Sequence, residues 1–441
     1  MRFVIAFRAL FFTALLLFSG TTDPCRADKA SEPESIVFLH YWTNNTNMGA
    51  TNIVHAFNQA HSEFQVRVSG FEYENFKVGI KIILGGDNPP DIVAYWIGSQ
   101  FQSLADSGLL VPLDRVWRDA GLEQAFSPAM AKTCEYNGIK YAIPVCQHYI
   151  CFFYNKNVFR KLNLSPPTTW DEFMAAAQTI RDAGITPFAL GSRARWPAQF
   201  WFDYLLLRTA GPEFRSRLMA GEASYMDPET ETAFALWKQL LDNGWFTESP
   251  GMHDWPDAAK MVLNGEAAMT LMATWITTLY ENQLGAVPGK DYDFFPFPVI
   301  DPDVPTCSLG LLEVLLMSEK ARARRGEAAP GEAFLTFFAG TDPQAEISRS
   351  LGALPASLLV DESTYSDMKR RIRKTFEATE HQALLYDQAT PPEVSAIGLE
   401  SMVRFLENPS EYRLILRETQ QTAEQAFHRL QSGENGRNSS P

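Results

Sequence analysis

Cysteine is scarce in this sequence: five of its 441 residues are cysteines. Their spacing matches no metal-binding or redox motif, and the seven histidines lack the spacing of metal ligands. We therefore predict no metal site and no cofactor. Outside the cytoplasm Cys146 would be able to pair with Cys151 or with Cys134. The alternative, that these three and Cys307 remain buried free thiols, stays open at this point.

The sequence also lacks common catalytic motifs and any excess of basic charge. It contains no Walker A loop, no H-E-x-x-H, no G-x-S-x-G and no dinucleotide-binding fingerprint. A glycosidase would need two carboxylates that flank one bond, but among 52 acidic residues a pair such as Glu72 and Glu74 carries little weight. The net charge of −14 argues against nucleic acid or an anionic membrane as partner. We predict that the protein is not an enzyme.

Long hydrophobic runs are missing beyond the N-terminal region. There, Ala9–Phe18 is apolar but too short to span a bilayer, which is typical of a secretory signal peptide. The residues before Asp28 predict cleavage after Ala27. Cys25 alone would suggest a lipoprotein, but the acidic and proline residues before it stand where that signal needs small apolar residues. We expect a soluble, periplasmic mature protein.

Strands and helices alternate in the chain that follows. Three β-rich runs enclose two helical patterns, in the order 35–42, 48–61, 64–71, 74–86 and 91–96. This order predicts a parallel sheet covered by helices. In such sheets a ligand crevice lies beyond the carboxyl ends of the strands. This chain carries Tyr41-Trp42 and Tyr95-Trp96 at those ends, which indicates an aromatic cleft.

The later segments continue the α/β pattern. An Asn-Gly turn within 134–145 predicts a hairpin, and Thr169 with Glu172 predicts a capping box at a helix start. The apolar run LGLLEVLLM at 309–317 predicts a buried strand, and 377–430 is predicted to be largely helical. No repeat or linker separates the halves, so we predict two α/β lobes joined by short crossovers.

Several segments, taken in order, resemble one known family. They are PPDIVAYW, NGIKYAIPV…FYNKNVF, PPTTWDEF…AGITPFALG, GEASYMDPET, NGEAAMTLMATW and FFPFP. This ordered set resembles the extracellular solute-binding proteins of family 1, the carbohydrate receptors of bacterial ABC importers, over about residues 35–430. The resemblance implies a two-lobed periplasmic-binding-protein fold. Each lobe would be a mostly parallel sheet flanked by helices, with the ligand cleft between the lobes.

The resemblance also implies domain boundaries and a function. The divisions are a signal peptide 1–27, an N-terminal lobe 28–145 plus about 305–357, a C-terminal lobe 146–304 plus about 358–430, and a flexible tail 431–441. The protein would capture a mono- or oligosaccharide without modifying it and deliver it, as a monomer, to the permease subunits of an ABC transporter in the inner membrane. The alternative is a sugar-binding protein that reports to a membrane sensor.

A sugar needs two kinds of contact, because hydroxyls form its rim and flat C–H faces stack on aromatic rings. In GSRARWPAQFWF, Trp196 follows a predicted strand and would be a stacking platform, with Arg193 or Gln199 as a rim donor. The alternative is that Trp196 is a hydrophobic staple on the helix that begins at Pro197. The helical position of Trp201 favours a place in the core.

Five more aromatic or amide side chains are candidates for ligand contact. Trp255 and Trp275 resemble two tryptophans that contact sugar in glucose-binding relatives, and each would otherwise belong to a lobe core. Trp42 and Asn47 match ligand-contacting positions in the same relatives, although many relatives have glutamate where Asn47 stands. Trp96, at the end of the third strand, is a further candidate.

Two ionisable residues complete the predicted site. His148 follows the predicted hairpin near the expected hinge, although a lone histidine is more often structural. Glu313 interrupts the apolar run at 309–317, and a buried carboxylate must be hydrogen-bonded to be tolerated there. We therefore predict that Glu313 contacts the ligand unless the core itself supplies its hydrogen bonds.

Overall fold

The computed structural model describes residues 34–42, 48–326 and 329–432. The predicted signal peptide and Asn47 lie outside these residues. The predicted tail does too, except for its first two residues, which instead end the last helix. Within the described part of the chain, no helix is both long and apolar enough to cross a membrane.

The described strands form one main sheet and one small hairpin. They are β1 (Glu34–His40), β2 (Phe64–Gly70), β3 (Ile92–Trp96), β4 (Glu135–Tyr136), β5 (Ile139–Lys140), β6 (Ala142–Asn155), β7 (Thr186–Phe188), β8 (Ala267–Ala273), β9 (Tyr292–Phe295), β10 (Cys307–Met317), β11 (Leu354–Pro355) and β12 (His381–Leu384). The main sheet has the order β2-β1-β3-β10-β6-β8-β7, and β4 pairs with β5 in the predicted Asn-Gly hairpin. Asn137 and Gly138 both have positive φ, as a two-residue turn of this kind requires.

The direction of the strands corrects one expectation. β1 runs parallel to β2 and β3, and β7 runs parallel to β8. However, β10 is antiparallel to β3 and β6, and β6 is antiparallel to β8 and β9. The sheet is therefore mixed rather than mostly parallel, because the long strands β6 and β10 run through its middle in opposite directions.

Helices cover the sheet along the whole described chain. They are α1 (Met48–Ala60), α2 (Tyr73–Gly85), α3 (Ser99–Asp106), α4 (Asp114–Asp119), α5 (Pro128–Thr133), α6 (Lys156–Lys161), α7 (Trp170–Asp182), α8 (Gln199–Thr209), α9 (Gly211–Ala220), α10 (Pro228–Asp242), α11 (Trp255–Asn264), α12 (Ile276–Thr278), α13 (Glu319–Arg325), α14 (Ala329–Phe338), α15 (Thr341–Ser350), α16 (Asp367–Glu377), α17 (Tyr386–Ala389), α18 (Pro392–Glu407) and α19 (Tyr412–Ser432). The capping box of Thr169 and Glu172 is confirmed at the start of α7. The block 377–430 is largely helical, as predicted, but it also contains the short strand β12.

Two large hydrophobic clusters fill the interior. The N-terminal cluster surrounds β1, β2, β3 and helices α1 and α2, and the C-terminal cluster surrounds β8, β9 and helices α7, α8 and α10. Strands β6 and β10 contribute to both. The apolar side chains of β6 change cluster between Cys146 and Tyr149, and those of β10 change between Leu311 and Leu312. Residues 351–356 also contribute to both clusters.

The core also resolves two alternatives that the sequence leaves open. Cys134, Cys146, Cys151 and Cys307 are buried free thiols. Trp201 is fully buried in the C-terminal cluster, where its ring packs edge-on against Phe246. It is a core residue, as its helical position predicts.

Candidate functional site

A cavity of about 540 Å³ is lined by residues of both hydrophobic clusters. This volume lies within the usual range of small-molecule sites, about 300–1,000 Å³. The segments at the carboxyl ends of β1, β2, β3 and β12 all contribute to its lining. In α/β sheets a ligand crevice lies beyond the carboxyl ends of the strands, which we call the strand-end rule. The position of this cavity agrees with that rule.

Seven of the eight side chains predicted to bind ligand line this cavity, and the eighth, Asn47, lies outside the described residues. The seven are Trp42, Trp96, His148, Trp196, Trp255, Trp275 and Glu313. Their contact with a ligand stays a prediction. What the fold supplies is proximity between side chains that are far apart in the sequence.

One wall of the cavity, the N-terminal wall, consists of Tyr41, Trp42, Tyr73, Trp96 and Glu313. Because β1 and β3 pair in parallel, the residues at their carboxyl ends become neighbours. The rings of Tyr41 and Trp96 meet edge to face with centroids 5.3 Å apart, and Tyr95 stacks behind Trp96 at 4.3 Å. Trp42 and Trp96 are only 4% and 2% exposed, so this wall is packed before any ligand is considered.

Glu313 is the buried carboxylate of the N-terminal wall. Its Oε2 accepts hydrogen bonds from the Tyr41 hydroxyl and, at 2.9 Å, from Trp42 Nε1. Burial raises the pKa of the Glu313 carboxyl to about 7, although these two hydrogen bonds act in the opposite direction. The protein itself therefore supplies hydrogen bonds that stabilise this buried carboxyl group within the apolar strand β10.

His148 lies on β6 beside Glu313. Its Nδ1 is 2.9 Å from Thr274 Oγ1, and its Nε2 is 4.0 Å from Glu313 Oε1. That second distance would suit an ion pair, but burial lowers the pKa of His148 to about 3. His148 is therefore a neutral imidazole at physiological pH. Its ring packs edge-on against Trp275 at 5.1 Å.

The opposite wall, the C-terminal wall, consists of His148, Trp196, Trp255 and Trp275. Trp196 begins a short 3₁₀ turn before α8, and its ring meets the Trp275 ring edge to face at 5.7 Å. Trp275 follows β8 and Trp255 is the first residue of α11. Both are half-buried, so parts of their rings face solvent.

The position of Trp255 depends on a close approach between two loops. A Cβ atom placed on Gly191 would lie 2.2 Å from the carbonyl oxygen of Asp254, so no other residue fits there without a shift. Asp254 and Asp257 form a capping box at the start of α11. Together, the contact of Gly191 with Asp254 and the capping box hold Trp255 at the cavity.

Other lining residues were not predicted from the sequence. They are Glu72, Tyr73, Glu74, Asp254, Lys260, Gln283, Asp387 and Gln388, among others. Glu72, Tyr73 and Glu74 follow β2, a predicted strand, so the strand-end rule could have identified them. It could have identified Asp387 and Gln388 only if β12 had been recognised as a strand.

Four buried polar atoms of the lining residues have no hydrogen-bond partner within the described residues. Two are donors, Trp96 Nε1 and Gln199 Nε2, and two are acceptors, Asp387 Oδ1 and Gln388 Oε1. Buried polar groups in native proteins are nearly always hydrogen-bonded. This set suits a solute that both donates and accepts hydrogen bonds.

One carboxylate of the cavity lining, that of Glu72, is engaged by the helix that follows it. Both oxygens of Glu72 cap helix α2, since they accept from the backbone N–H groups of Glu74 and Asn75 at 3.1 and 3.0 Å. Burial raises the pKa of Glu74. Among the described residues, no group of three or more His, Cys, Asp or Glu side chains is arranged to hold a metal ion.

Comparison with known proteins agrees with the predicted family. Residues 46–345 match the family described as bacterial extracellular solute-binding protein. An uncharacterised ABC transporter extracellular-binding protein of Pyrococcus horikoshii is 23% identical over 367 residues, which cover 82% of this chain and 79% of that protein. A probable sugar-binding periplasmic protein of Mesorhizobium japonicum is 25% identical over 280 residues, which cover 62% of this chain and 66% of its own length.

Solved structures share the fold. The solute receptor AcbH, described as preferring β-D-galactopyranose, has a TM-score of 0.81 at 23% identity over 89% of this chain and 99% of its own. A chitin oligosaccharide binding protein has a TM-score of 0.81 at 21% identity over 90% of this chain and 100% of its own. The predicted resemblance is confirmed: this chain belongs to the bacterial extracellular solute-binding proteins of ABC transporters, a family of receptors rather than enzymes.

Proposed function

We propose that this protein is the receptor of an ABC importer for a carbohydrate, which it binds in the cavity between two lobes. The observation that carries this proposal is the combination of tryptophans on both walls with four unpartnered polar atoms. Relatives named as sugar-binding periplasmic proteins, and fold relatives described with galactose or chitin oligosaccharides, support it.

The chemistry of the cavity fits a sugar in both of its aspects. The half-buried rings of Trp255 and Trp275 would stack on the C–H faces, since aromatic rings give large contact area at low entropic cost. The two donors and two acceptors would pair with hydroxyls, each of which costs about 1–3 kcal/mol if it is buried without a partner.

The two lobes of this proposal are residues 28–145 plus about 305–357 and residues 146–304 plus about 358–430. A division near these limits is supported by the apolar side chains of β6 and β10, which change cluster between Cys146 and Tyr149 and between Leu311 and Leu312. The lobes would close on the sugar by a hinge motion. The closed, monomeric receptor would then dock on its permease outside the inner membrane, after cleavage of the signal peptide near Ala27.

A thermal-shift screen tests the proposal. The purified mature protein is mixed with D-glucose, D-galactose, xylobiose, N,N′-diacetylchitobiose and raffinose, and in parallel with amino acids and polyols. A sugar at a hundred times its dissociation constant should add about 2.7 kcal/mol to the free energy of unfolding. Calorimetric titration of the best sugar then measures its affinity. Stabilisation by amino acids or polyols alone would overturn the assignment to carbohydrate.

Closure is tested separately by small-angle scattering. Saturation with the best sugar should reduce the radius of gyration relative to the free protein, because a hinge motion brings the two lobes together. An unchanged radius in a protein that binds the sugar by calorimetry would contradict the closing motion while leaving the carbohydrate assignment in place.

A further inference from the structure

Helix α17, which follows strand β12, is fastened to the C-terminal cluster. The backbone N–H of Asp387 donates to Gln199 Oε1 at 2.8 Å, and that of Tyr386 donates to Asp203 Oδ2 at 2.9 Å. Both acceptors lie on helix α8, whose side chains are almost entirely buried in that cluster. The position of α17 is therefore set by the C-terminal side of the cavity.

The same helix also contacts elements of the N-terminal cluster. Lys77 Nζ, on α2, lies 2.5 Å from Asp387 Oδ2, and Gln100 Nε2, on α3, donates to the Asp387 carbonyl oxygen at 3.3 Å. Just before α3, a Cβ atom on Gly98 would lie 2.3 Å from the Gln388 carbonyl oxygen. The φ of Gly98 is 136°, which also excludes most other residues. Helix α17 thus spans the two sides of the cavity.

Asp387 is the residue at which these contacts converge. Its Oδ2 is engaged by Lys77, whereas its Oδ1 is buried and has no partner within the described residues. The residue is 3% exposed and lines the cavity. A buried carboxylate with one oxygen unsatisfied costs free energy, which a hydrogen-bond donor in the cavity would recover.

We propose that Asp387 couples recognition of the ligand to closure of the cavity: Oδ1 accepts a hydrogen bond from a hydroxyl or amine of the ligand, while Oδ2 holds Lys77 on the opposite side. The chemical nature of the ligand and the closing motion in this statement rest on the proposed function. The clasp between Lys77 and Asp387 does not, because it exists in the chain itself.

Two consequences follow from this arrangement. A sugar that lacks a donor at the Asp387 position leaves Oδ1 unpaired and binds more weakly, so Asp387 discriminates a hydroxyl from an ether or a deoxy carbon. Lys77, which is absent from the cavity lining, contributes to affinity indirectly, because it stabilises the arrangement in which α2 and α17 are held together. Lys77 is accordingly a positioning residue and Asp387 a specificity-determining one.

The clasp is tested first without any ligand. Spin labels on Gln59→Cys in α1 and Gln239→Cys in α10 are exposed and lie on helices of the two different clusters. Their distance distribution is measured in the free protein for the parent, for Lys77→Met and for Lys81→Met. Lys81 lies on the same helix as Lys77 but is exposed and outside the cavity lining, so it is the matched control.

We expect Lys77→Met to shift the labels towards longer distances and Lys81→Met to leave them unchanged. If the two variants give the same distribution as the parent, the clasp does not contribute to closure and the proposal is overturned. This outcome is independent of the assignment to carbohydrate, because no sugar is present in the sample.

The second test measures recognition with the member of the sugar panel that stabilises the parent most. Asp387→Asn replaces one acceptor oxygen by an amide donor at nearly constant volume. We expect its affinity to fall about 10- to 100-fold, in keeping with the loss of a hydrogen bond to a charged group. Lys77→Met should weaken binding about fivefold or more, and Lys81→Met by less than twofold.

Chemical unfolding of each variant separates this role from simple packing. A purely structural ion pair predicts that Asp387→Asn and Lys77→Met lower stability but keep the parent affinity, and that result would refute the assignment. If Asp387→Asn does not fold, the affinity of Lys77→Met decides, because that side chain is partly exposed and its removal leaves the cavity lining intact.

Discussion

The two walls of the cavity are built differently. In the N-terminal wall the rings of Tyr41, Trp42 and Trp96 are almost fully buried, and Tyr41 and Trp42 both donate to Glu313. In the C-terminal wall Trp255 and Trp275 are half-buried, and the ring contact of Trp275 with Trp196 is edge to face. One wall is thus part of a hydrophobic core, whereas the other presents ring surface to whatever enters the cavity.

This difference separates stability from affinity. Side chains of the N-terminal wall support the fold and form a surface that exists before the ligand binds, so their removal should mainly destabilise the protein. The half-buried rings of Trp255 and Trp275 in the C-terminal wall lose their remaining solvent contact only when a ligand arrives, so their removal should mainly weaken binding. The following predictions test this contrast, from the largest expected effect to the smallest.

Trp42→Ala should have the largest effect on stability. It removes a 4% exposed ring from the N-terminal cluster and deprives Glu313 of one of its two donors. We expect the free energy of unfolding to fall by about 3–5 kcal/mol, as for other buried aromatic truncations. Urea unfolding measures this free energy, and Trp255→Ala is the control from the C-terminal wall. Equal losses for the two variants would remove the contrast between the walls.

The pH dependence of stability should reveal the buried carboxyl. The pKa of Glu313 is raised to about 7 in the fold, so the folded state holds a proton that the unfolded state releases near its ordinary value of about 4.5. The resulting stabilisation is complete below the unfolded pKa and is lost as the pH rises through about 7. It should amount to up to about 3 kcal/mol.

The measurement compares wild type with Glu313→Gln, which keeps an acceptor oxygen for Tyr41 and Trp42. Between pH 5 and pH 8 the unfolding free energy of wild type should decrease relative to that of the variant. The lowered pKa of His148 acts in the opposite direction, but it is present in both proteins and cancels in the difference. Parallel pH profiles would show that Glu313 is ionised throughout this range.

Trp275→Ala should weaken sugar binding more than it destabilises the protein. Its ring is half-buried and faces the cavity, and truncation of a desolvated aromatic anchor costs at least about 2 kcal/mol in binding, or roughly thirtyfold in affinity. Calorimetric titration and urea unfolding of the same variant are the two measurements. A folded Trp275→Ala protein with wild-type affinity would exclude this residue from the binding site.

Trp255→Phe should have the smallest effect, because a ring remains at the first position of α11. We expect an affinity loss of a few-fold, about 1 kcal/mol, and a larger loss for Trp255→Ala. If the affinity for the sugar rises from the alanine variant to the phenylalanine variant to wild type in the same titration, the ring at this position stacks on the sugar. If phenylalanine binds no better than alanine, the indole N–H rather than the ring face makes the contact.

The strand-end rule explains why many residues of the candidate site can be predicted from the sequence. Tyr41-Trp42 and Tyr95-Trp96 close β-rich runs in a βαβαβ pattern, and parallel pairing of β1 and β3 brings Tyr41 against Trp96. The helical position of Trp201 likewise predicts its burial. These inferences succeed because the period of hydrophobic residues and the ends of strands are local properties.

Long-range pairing is what the local pattern misses. Asp387 and Gln388 follow β12, a strand of four residues within a stretch that otherwise has helical periodicity. β12 exists because Cys307–Gly310 of β10 provide its partner. The antiparallel course of β10 between β3 and β6 is equally invisible, since a buried strand has the same apolar composition in either direction.

The position of β10 has a consequence for how the protein is made. This strand is the central member of the main sheet, yet it is synthesised long after both of its neighbours, β3 and β6. A nascent chain that ends before Cys307 has two strand edges with no partner and an N-terminal cluster without Leu312–Met317. Such distant pairing slows folding, because a long loop must close before the contact forms. An N-terminal fragment that ends before Cys307 is therefore not expected to fold on its own. The order of synthesis delays the folded state until most of the chain has emerged.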